Sequence, residues 1–274
     1  PGRSGAGGAS MPPVPGLPHV PDLGPTAWGL IGRAGFAAGW VDAVVGGGGL
    51  IQLPALLLVP GLSPLNVLAT NKLGSIMGTT TSAVTYQRRV HPDLRTALPM
   101  ALAALLGAVG GAALAAQIPA DLFRPIIVLA CTAVLAWTIA RPTAGLVTAH
   151  RFTGHRHRGL AVLLGVLIGT YDGVLGPGTG SFLVISLVGV LGYAFVPASA
   201  IAKIVNMATN AGALAFFIPA GHVVWGLGLA VGAANMLGGY IGARTAVARG
   251  SRFVRVVFLV VVSGLIARLV ADIT

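Results

Sequence analysis

Apolar residues fill almost the whole chain after position 26, in long runs separated by short polar interruptions. The runs extend roughly over 27–46, 49–60, 64–86, 96–116 and 122–140, then over 159–175, 180–192, 197–219, 222–246 and 253–271. A helix needs about 20 apolar residues to cross the ~30 Å hydrocarbon core of a bilayer. Most runs approach or meet that length, but the second of each set falls well short. The pattern predicts an all-α polytopic membrane protein with about 8 to 10 membrane segments. Residues 1–25 are rich in Pro, Gly and Ser and lack the apolar core of a secretory signal, so a disordered tail is expected there.

The two sets of runs resemble each other. Gly39-Trp40-Val41-Asp42 precedes Gly46-Gly47-Gly48-Gly49, as Gly169-Thr170-Tyr171-Asp172 precedes Gly176-Pro177-Gly178-Thr179-Gly180. A shift of about 131 positions then pairs Lys72 with Lys203, His91 with His222, Gly107 with Gly238 and Gly111 with Gly242. The expected organisation is a first membrane repeat over 26–141, a basic cytoplasmic connector over 142–158 and a second membrane repeat over 159–272. Each repeat contains a helix pair broken by glycines.

Composition removes other classes. The chain is 55% hydrophobic and only 8% charged, too little polar surface for a soluble domain. Its net charge of +11 resembles that of a nucleic-acid-binding protein, but the arginines sit in short loops between apolar runs and read as topology signals. No nucleic-acid partner is expected. Cys131, the only cysteine, allows neither an internal disulfide nor a cysteine metal cluster.

Loop charge predicts the orientation, because short cytoplasmic loops collect Lys and Arg. Arg88, Arg89 and Arg95 put the loop after the third run inside, as do Arg151, Arg156 and Arg158 between the halves and Arg244, Arg249 and Arg252 later on. The linkers near Pro119 and Gly221 carry almost no charge and belong outside. Tracing the crossings makes the two repeats inverted in the membrane, with both termini outside a cell (inner) membrane. Inverted repeats are common in secondary transporters.

The candidate chemistry lies inside the runs. Fifteen of the seventeen basic residues are arginines, and the two lysines fall at the equivalent positions Lys72 and Lys203. Each lysine near the bilayer centre costs about 2.5 to 3.5 kcal/mol. Two readings stand. The ammonium groups converge on an anionic substrate, or each snorkels or pairs with an aspartate for stability. Asn71 and Ser75 beside Lys72, and Asn206 and Asn210 beside Lys203, would supply neutral hydrogen bonds to an oxyanion; their alternative is bonding between helices. Thr79 and Ser82 fall near the same face as Lys72.

Asp42 and Asp172 each stand just before a glycine break, where a carboxylate can relay protons or neutralise a lysine, or simply cap the next helix. The breaks themselves, Gly46, Gly47, Gly48 and Gly49 and then Gly176, Gly178 and Gly180, match no nucleotide-binding motif. In a bilayer they interrupt a helix and turn N–H groups toward an anion, or allow close packing. Packing is the reading for Gly107, Gly111, Gly238 and Gly242. His150, His155 and His157 lie among arginines in the connector and read as part of a basic loop rather than a metal site. His91 and His222 at run ends read as interface anchors, with a role at gates as the alternative. Arg33 attracts anions or snorkels, and the sequence does not choose. No metal or other cofactor is expected.

Ala38-Gly39-Trp40-Val41-Asp42-Ala43-Val44-Val45-Gly46-Gly47-Gly48-Gly49-Leu50, then Ala69-Thr70-Asn71-Lys72, then Gly169-Thr170-Tyr171-Asp172-Gly173 with its own glycine break resemble the sulfite exporter TauE/SafE family. The resemblance covers residues 30 to 270. It implies a membrane transporter of small sulfur-containing anions such as sulfite or organosulfonates. Ala202 in place of Asn71 and Pro177 within the second break depart from exact two-fold equivalence. The leading expectation is therefore a secondary transporter, not an enzyme, that exports such an anion, since each exported negative charge gains about 2.3 kcal/mol per 100 mV. Proton-coupled uptake, with Asp42 and Asp172 as the coupling groups, is the alternative. A scaffold that transports nothing is a weaker one, because it leaves two buried lysines without an occupation. Expected partners are the small anion, the lipid bilayer and protons; oligomeric state is left open by the sequence.

Overall fold

The computed structural model describes residues 23–119, 148–149 and 151–271. Most of the expected tail, and the run over 122–140 with Cys131, lie outside the described residues. Among the described residues the chain is helical, with no strand.

Helix α1, Pro25–Val45, starts with proline at its first turn, where a missing N–H costs nothing. It stops at Gly46, whose φ of 84° puts it in the left-handed region and whose N–H bonds the carbonyl of Asp42. After the glycines comes the short α2, Gly49–Leu57. Helix α3, Pro64–Val90, is capped by Ser63, whose hydroxyl accepts the N–H of Asn66. Helix α4, Leu94–Ala115, is capped by Asp93. The same order of long, short, long, long then recurs as α5, Gly154–Val174, α6, Thr179–Ser186, α7, Phe195–Phe217, and α8, Trp225–Ala271. Helix α6 runs into a π-helical turn, Leu187–Leu191, ended by Gly192 at a φ of 85°.

The runs 222–246 and 253–271 are separate helices within α8, broken at Gly250, whose φ of 74° and ψ of −176° are not helical. One boundary differs from the sequence expectation. The connector expected over 142–158 gives up its last residues to the first turn of α5. His157 is thereby not a loop residue: it is buried, with Nε2 3.1 Å from the hydroxyl of Thr96 and 3.2 Å from that of Tyr193.

Leu94–Ala115, Phe195–Phe217 and Trp225–Val257 are long and apolar enough to cross a membrane. Helix α3 is long enough but more polar, and its Thr70, Asn71, Lys72, Thr79, Ser82 and Thr85 are buried. On α4 the outward positions are apolar instead: Leu98, Leu102 and Leu106 are 57%, 63% and 64% exposed at steps of four. A lipid-facing surface with a polar interior is the inverse of a soluble core.

Glycines join the long helices in pairs. A Cβ on Gly107 or Gly111 of α4 would lie 2.6 Å from the carbonyl oxygen of Val166 or 2.2 Å from that of Thr170 on α5. Gly238 and Gly242 of α8 meet the carbonyls of Phe36 and Trp40 on α1 in the same way, at 2.0 and 2.6 Å. These four glycines are helix-packing residues, as their spacing indicated. Helices α3 and α7 pack between the two seams and against each other.

At the α3–α4 turn, Asp93 Oδ2 accepts the hydroxyls of Thr96 and Tyr193, each at 2.8 Å. Burial alone would raise the Asp93 carboxyl, but the bonds from Thr96 and Tyr193 and the Arg95 and Thr96 N–H groups outweigh it and lower it from 3.8. A lowered carboxyl contributes stability in full above pH 3.8 that is lost as pH falls through its folded value. The detergent-solubilised protein is expected to lose Tm in that acid range. Asp93→Asn should start lower and show a flatter acid limb; an unchanged acid limb would remove this network from the account.

Candidate functional site

The last turns of α1 and α5 carry the two aspartates, and each meets a lysine from the other half of the chain. Lys72 on α3 lies with Nζ 2.8 Å from Oδ1 of Asp172 on α5. Lys203 on α7 lies with Nζ 2.8 Å from Oδ2 of Asp42 on α1. Both ammonium groups are 1% exposed or less. Removing one partner from such a pair strands a charge and costs about 3–5 kcal/mol.

The glycine breaks meet at the centre. A Cβ on Gly46 would lie 2.1 Å from the carbonyl carbon of Gly180, and one on Gly180 2.5 Å from the Cα of Gly46. The N–H of Ser181 crosses to the carbonyl of Gly46 at 3.0 Å. Gly176, like Gly46, stops its helix in the left-handed region, with a φ of 86°. A Cβ there would sit 2.9 Å from Lys72 Nζ, so the glycine leaves room for the ammonium.

A small, mostly polar cleft opens at this junction. Most residues singled out from the sequence stand on its wall. Lys72, Asn71 and Ser75 come from α3, Asn206 and Asn210 from α7, and Asp42 and Asp172 from the two helix ends. Gly46, Gly49, Gly176, Gly178 and Gly180 complete it. Gly47 and Gly48 are not on the wall, and Gly48 is pressed against the Ala38 carbonyl.

Lys203 is also off the wall. Its ammonium donates to the carboxylate and to the main-chain oxygen of Asp42, which also accepts the Gly46 N–H. It thus sits at the C-terminal, negative end of α1. Thr79 bonds back to the Ser75 carbonyl of its own helix. Ser82 is buried beyond the cleft, against Gly239. His91, His222 and Arg33 are not on the wall, and His222 lies edge-on to Phe217. His155 is exposed on the first turn of α5, and His150 is outside the described residues.

Helices α2 and α6 both begin at the cleft. Among the described residues no acceptor takes the N–H of Gly49, Thr179 or Gly180. Two helix N-termini with free N–H groups beside a lysine favour negative charge. Two acceptors on the wall also lack partners among the described residues, Asn71 Oδ1 and Asp172 Oδ2.

Two features escaped sequence reasoning. The Thr179 hydroxyl reaches both Oδ1 of Asp172 and the carbonyl of Gly176; it stands where the first repeat has Gly49, and that mismatch was the available signal. Gln52, the one polar residue of α2, bonds the Asn71 carbonyl at 3.3 Å and is itself held by Asn235 of α8. It ties the short helix to the turn of α3 that bears Lys72.

The family model for the sulfite exporter TauE/SafE matches residues 31–269. A probable membrane transporter protein of Sinorhizobium, ORF9, is 39% identical over 240 residues, which cover 87% of this chain and 90% of the relative. YfcA of Escherichia coli strain K12, also named a probable membrane transporter protein, is 31% identical over 252 residues, covering 91% and 92%. A probable membrane transporter protein of Haemophilus influenzae is 30% identical over 251 residues, covering 92% and 97%. No solved structure matches. With a polar cleft inside an apolar multi-pass helical body, and these relatives along nearly its full length, the chain belongs to the sulfite exporter TauE/SafE family of membrane transporters.

Proposed function

We propose that this chain is a secondary transporter of a small sulfur-containing anion, such as sulfite or an organosulfonate, and that it moves the anion outward. The observation that carries the reading is the arrangement at one cleft of a buried lysine, Lys72, and the free N–H groups of two helix N-termini. Asn71, Ser75, Asn206 and Asn210 surround the anion with neutral polar groups. The sulfur chemistry is taken from the name of the family.

The two repeats, 26–141 and 159–272, are inverted in the inner membrane, with both termini outside. The recurring order of long and short helices and the meeting of both glycine breaks at one point support this. Alternating access is then a rocking of one half against the other about the cleft. A second reading, proton-coupled uptake, is favoured by the pairing of each lysine with an aspartate, which leaves neither lysine free at rest.

Counterflow of labelled sulfite, thiosulfate, sulfoacetate and isethionate in proteoliposomes tests the proposal. Movement of at least one of them is expected, with Lys72 required. If none exchanges faster than in protein-free vesicles, the anion reading is wrong.

A further inference from the structure

The cleft holds a charge balance that decides what must travel with the anion. Lys72 is neutralised by Asp172 and Lys203 by Asp42, so the four buried groups sum to zero before any substrate enters. An added monoanion would leave one uncompensated negative charge among side chains that are almost wholly shielded from water, which is costly. A proton taken up at the same moment removes that cost.

The two aspartates differ in readiness to take it. Asp42 has Lys203 on its carboxylate and on its main-chain oxygen, and that lysine is off the cleft. Asp172 uses only Oδ1, which receives both Lys72 and the Thr179 hydroxyl, while Oδ2 has no partner and the residue is 2% exposed on the cleft wall. Around Asp172, α3 presents Lys72, α6 the Thr179 hydroxyl, α1 Asp42 across the cleft, and α7 the amides of Asn206 and Asn210. On its own helix, Tyr171 donates to the Pro177 carbonyl. Helix α4, packed along α5, offers no titratable side chain there; its one charged residue, Arg95, is exposed at the far end.

Resting on the anion-transport reading above, we infer that Asp172 binds one proton at Oδ2 each time an anion binds Lys72, so that anion and proton cross together. The anion displaces the carboxylate at Lys72. The proton enters from the same aqueous side, occupies the freed carboxyl, and leaves with the anion on the other side as the ion pair re-forms. A monoanion therefore moves without net charge, and a dianion with one net charge. Membrane voltage does not drive monoanion movement; the anion and proton gradients do, so outward flux of a monoanion follows its own outward gradient, and the voltage gain expected for export applies only to the net charge carried with a dianion.

The test uses the full chain in proteoliposomes with isethionate, a monoanion, and thiosulfate, a dianion, whose charges are fixed between pH 6 and 8. For isethionate, a tenfold proton gradient should drive about tenfold accumulation. A potassium–valinomycin potential of about 60 mV, worth tenfold for an uncompensated charge, should change nothing. For thiosulfate the same potential should act as on a single charge. A pH-sensitive dye inside the vesicles should report one proton per anion. Asp172→Asn mimics the protonated state, so whatever isethionate flux it retains should carry no proton and follow the potential, while whatever flux Asp42→Asn retains should still carry one proton per anion. Anion movement with no proton, or voltage-driven isethionate flux in the parent, overturns the inference and leaves the transport reading standing. Absence of any anion movement overturns both.

Discussion

Lys72→Met is expected to lower anion counterflow about 100-fold, and adding Asp172→Asn should restore folded yield but not transport. The reasoning separates two jobs of one ammonium. It neutralises Asp172 at 2.8 Å, and its loss strands a buried carboxylate, which the asparagine cures. It also faces the cleft, and a charged hydrogen bond to a substrate is worth about 1.5–3 kcal/mol, or roughly 10- to 150-fold, which nothing in the double variant replaces. The equivalent lysine should behave differently. Lys203→Met should cost about 3–5 kcal/mol through Asp42. Lys203→Met with Asp42→Asn should recover that stability and keep anion affinity within about tenfold of the parent. Thermal unfolding in detergent and counterflow on the parent and these four variants decide it. If the two lysine series lose transport equally, the anion is shared between them and the cleft at Lys72 is not the whole site.

Gly46→Ala is expected to destabilise the protein by about 3 kcal/mol or more. Two costs add at this position. The φ of 84° is strained for any residue with a Cβ, by about 1–2 kcal/mol. The new methyl would also lie 2.1 Å from the Gly180 carbonyl carbon, so the two glycine breaks must separate. Because Gly46 and Gly180 are on the cleft wall, transport should fall with stability. Gly110→Ala is the control: it is helical, with nothing within 4 Å of the added Cβ, and should be neutral or slightly stabilising. Equal unfolding temperatures for the two variants would show that the breaks have room to part.

What could be read in the sequence follows from what is local. Apolar runs, glycine stops and caps act within a few residues, so α1, α3, α4 and α7 lie close to where hydrophobicity placed them. The partnership of Lys72 with Asp172 and of Lys203 with Asp42 was one of two readings, because it joins residues far apart in the chain and depends on how halves face each other. Thr179 was passed over because a hydroxyl after a glycine break resembles any helix start. His157 was assigned to a loop because the arginines around it imitate one, whereas burial against Thr96 and Tyr193 pulls the first turn of α5 inward. Lys203 matched Lys72 by position but not by access to the cleft. That difference is one of packing and has no compositional trace.

The two ion pairs run crosswise, first half to second and second half to first. A contact in which residue i of one unit meets residue j of the other, and j meets i, is the signature of an isologous interface between identical subunits. Two copies of a single repeat facing one another would form both pairs from one lysine and one aspartate. Within the two-repeat organisation proposed above, Thr179 stands opposite Gly49 and Pro177 opposite Gly47. The two pairs are thus unequal devices, a closed clasp at Lys203, off the cleft, and an open one at Lys72, on it.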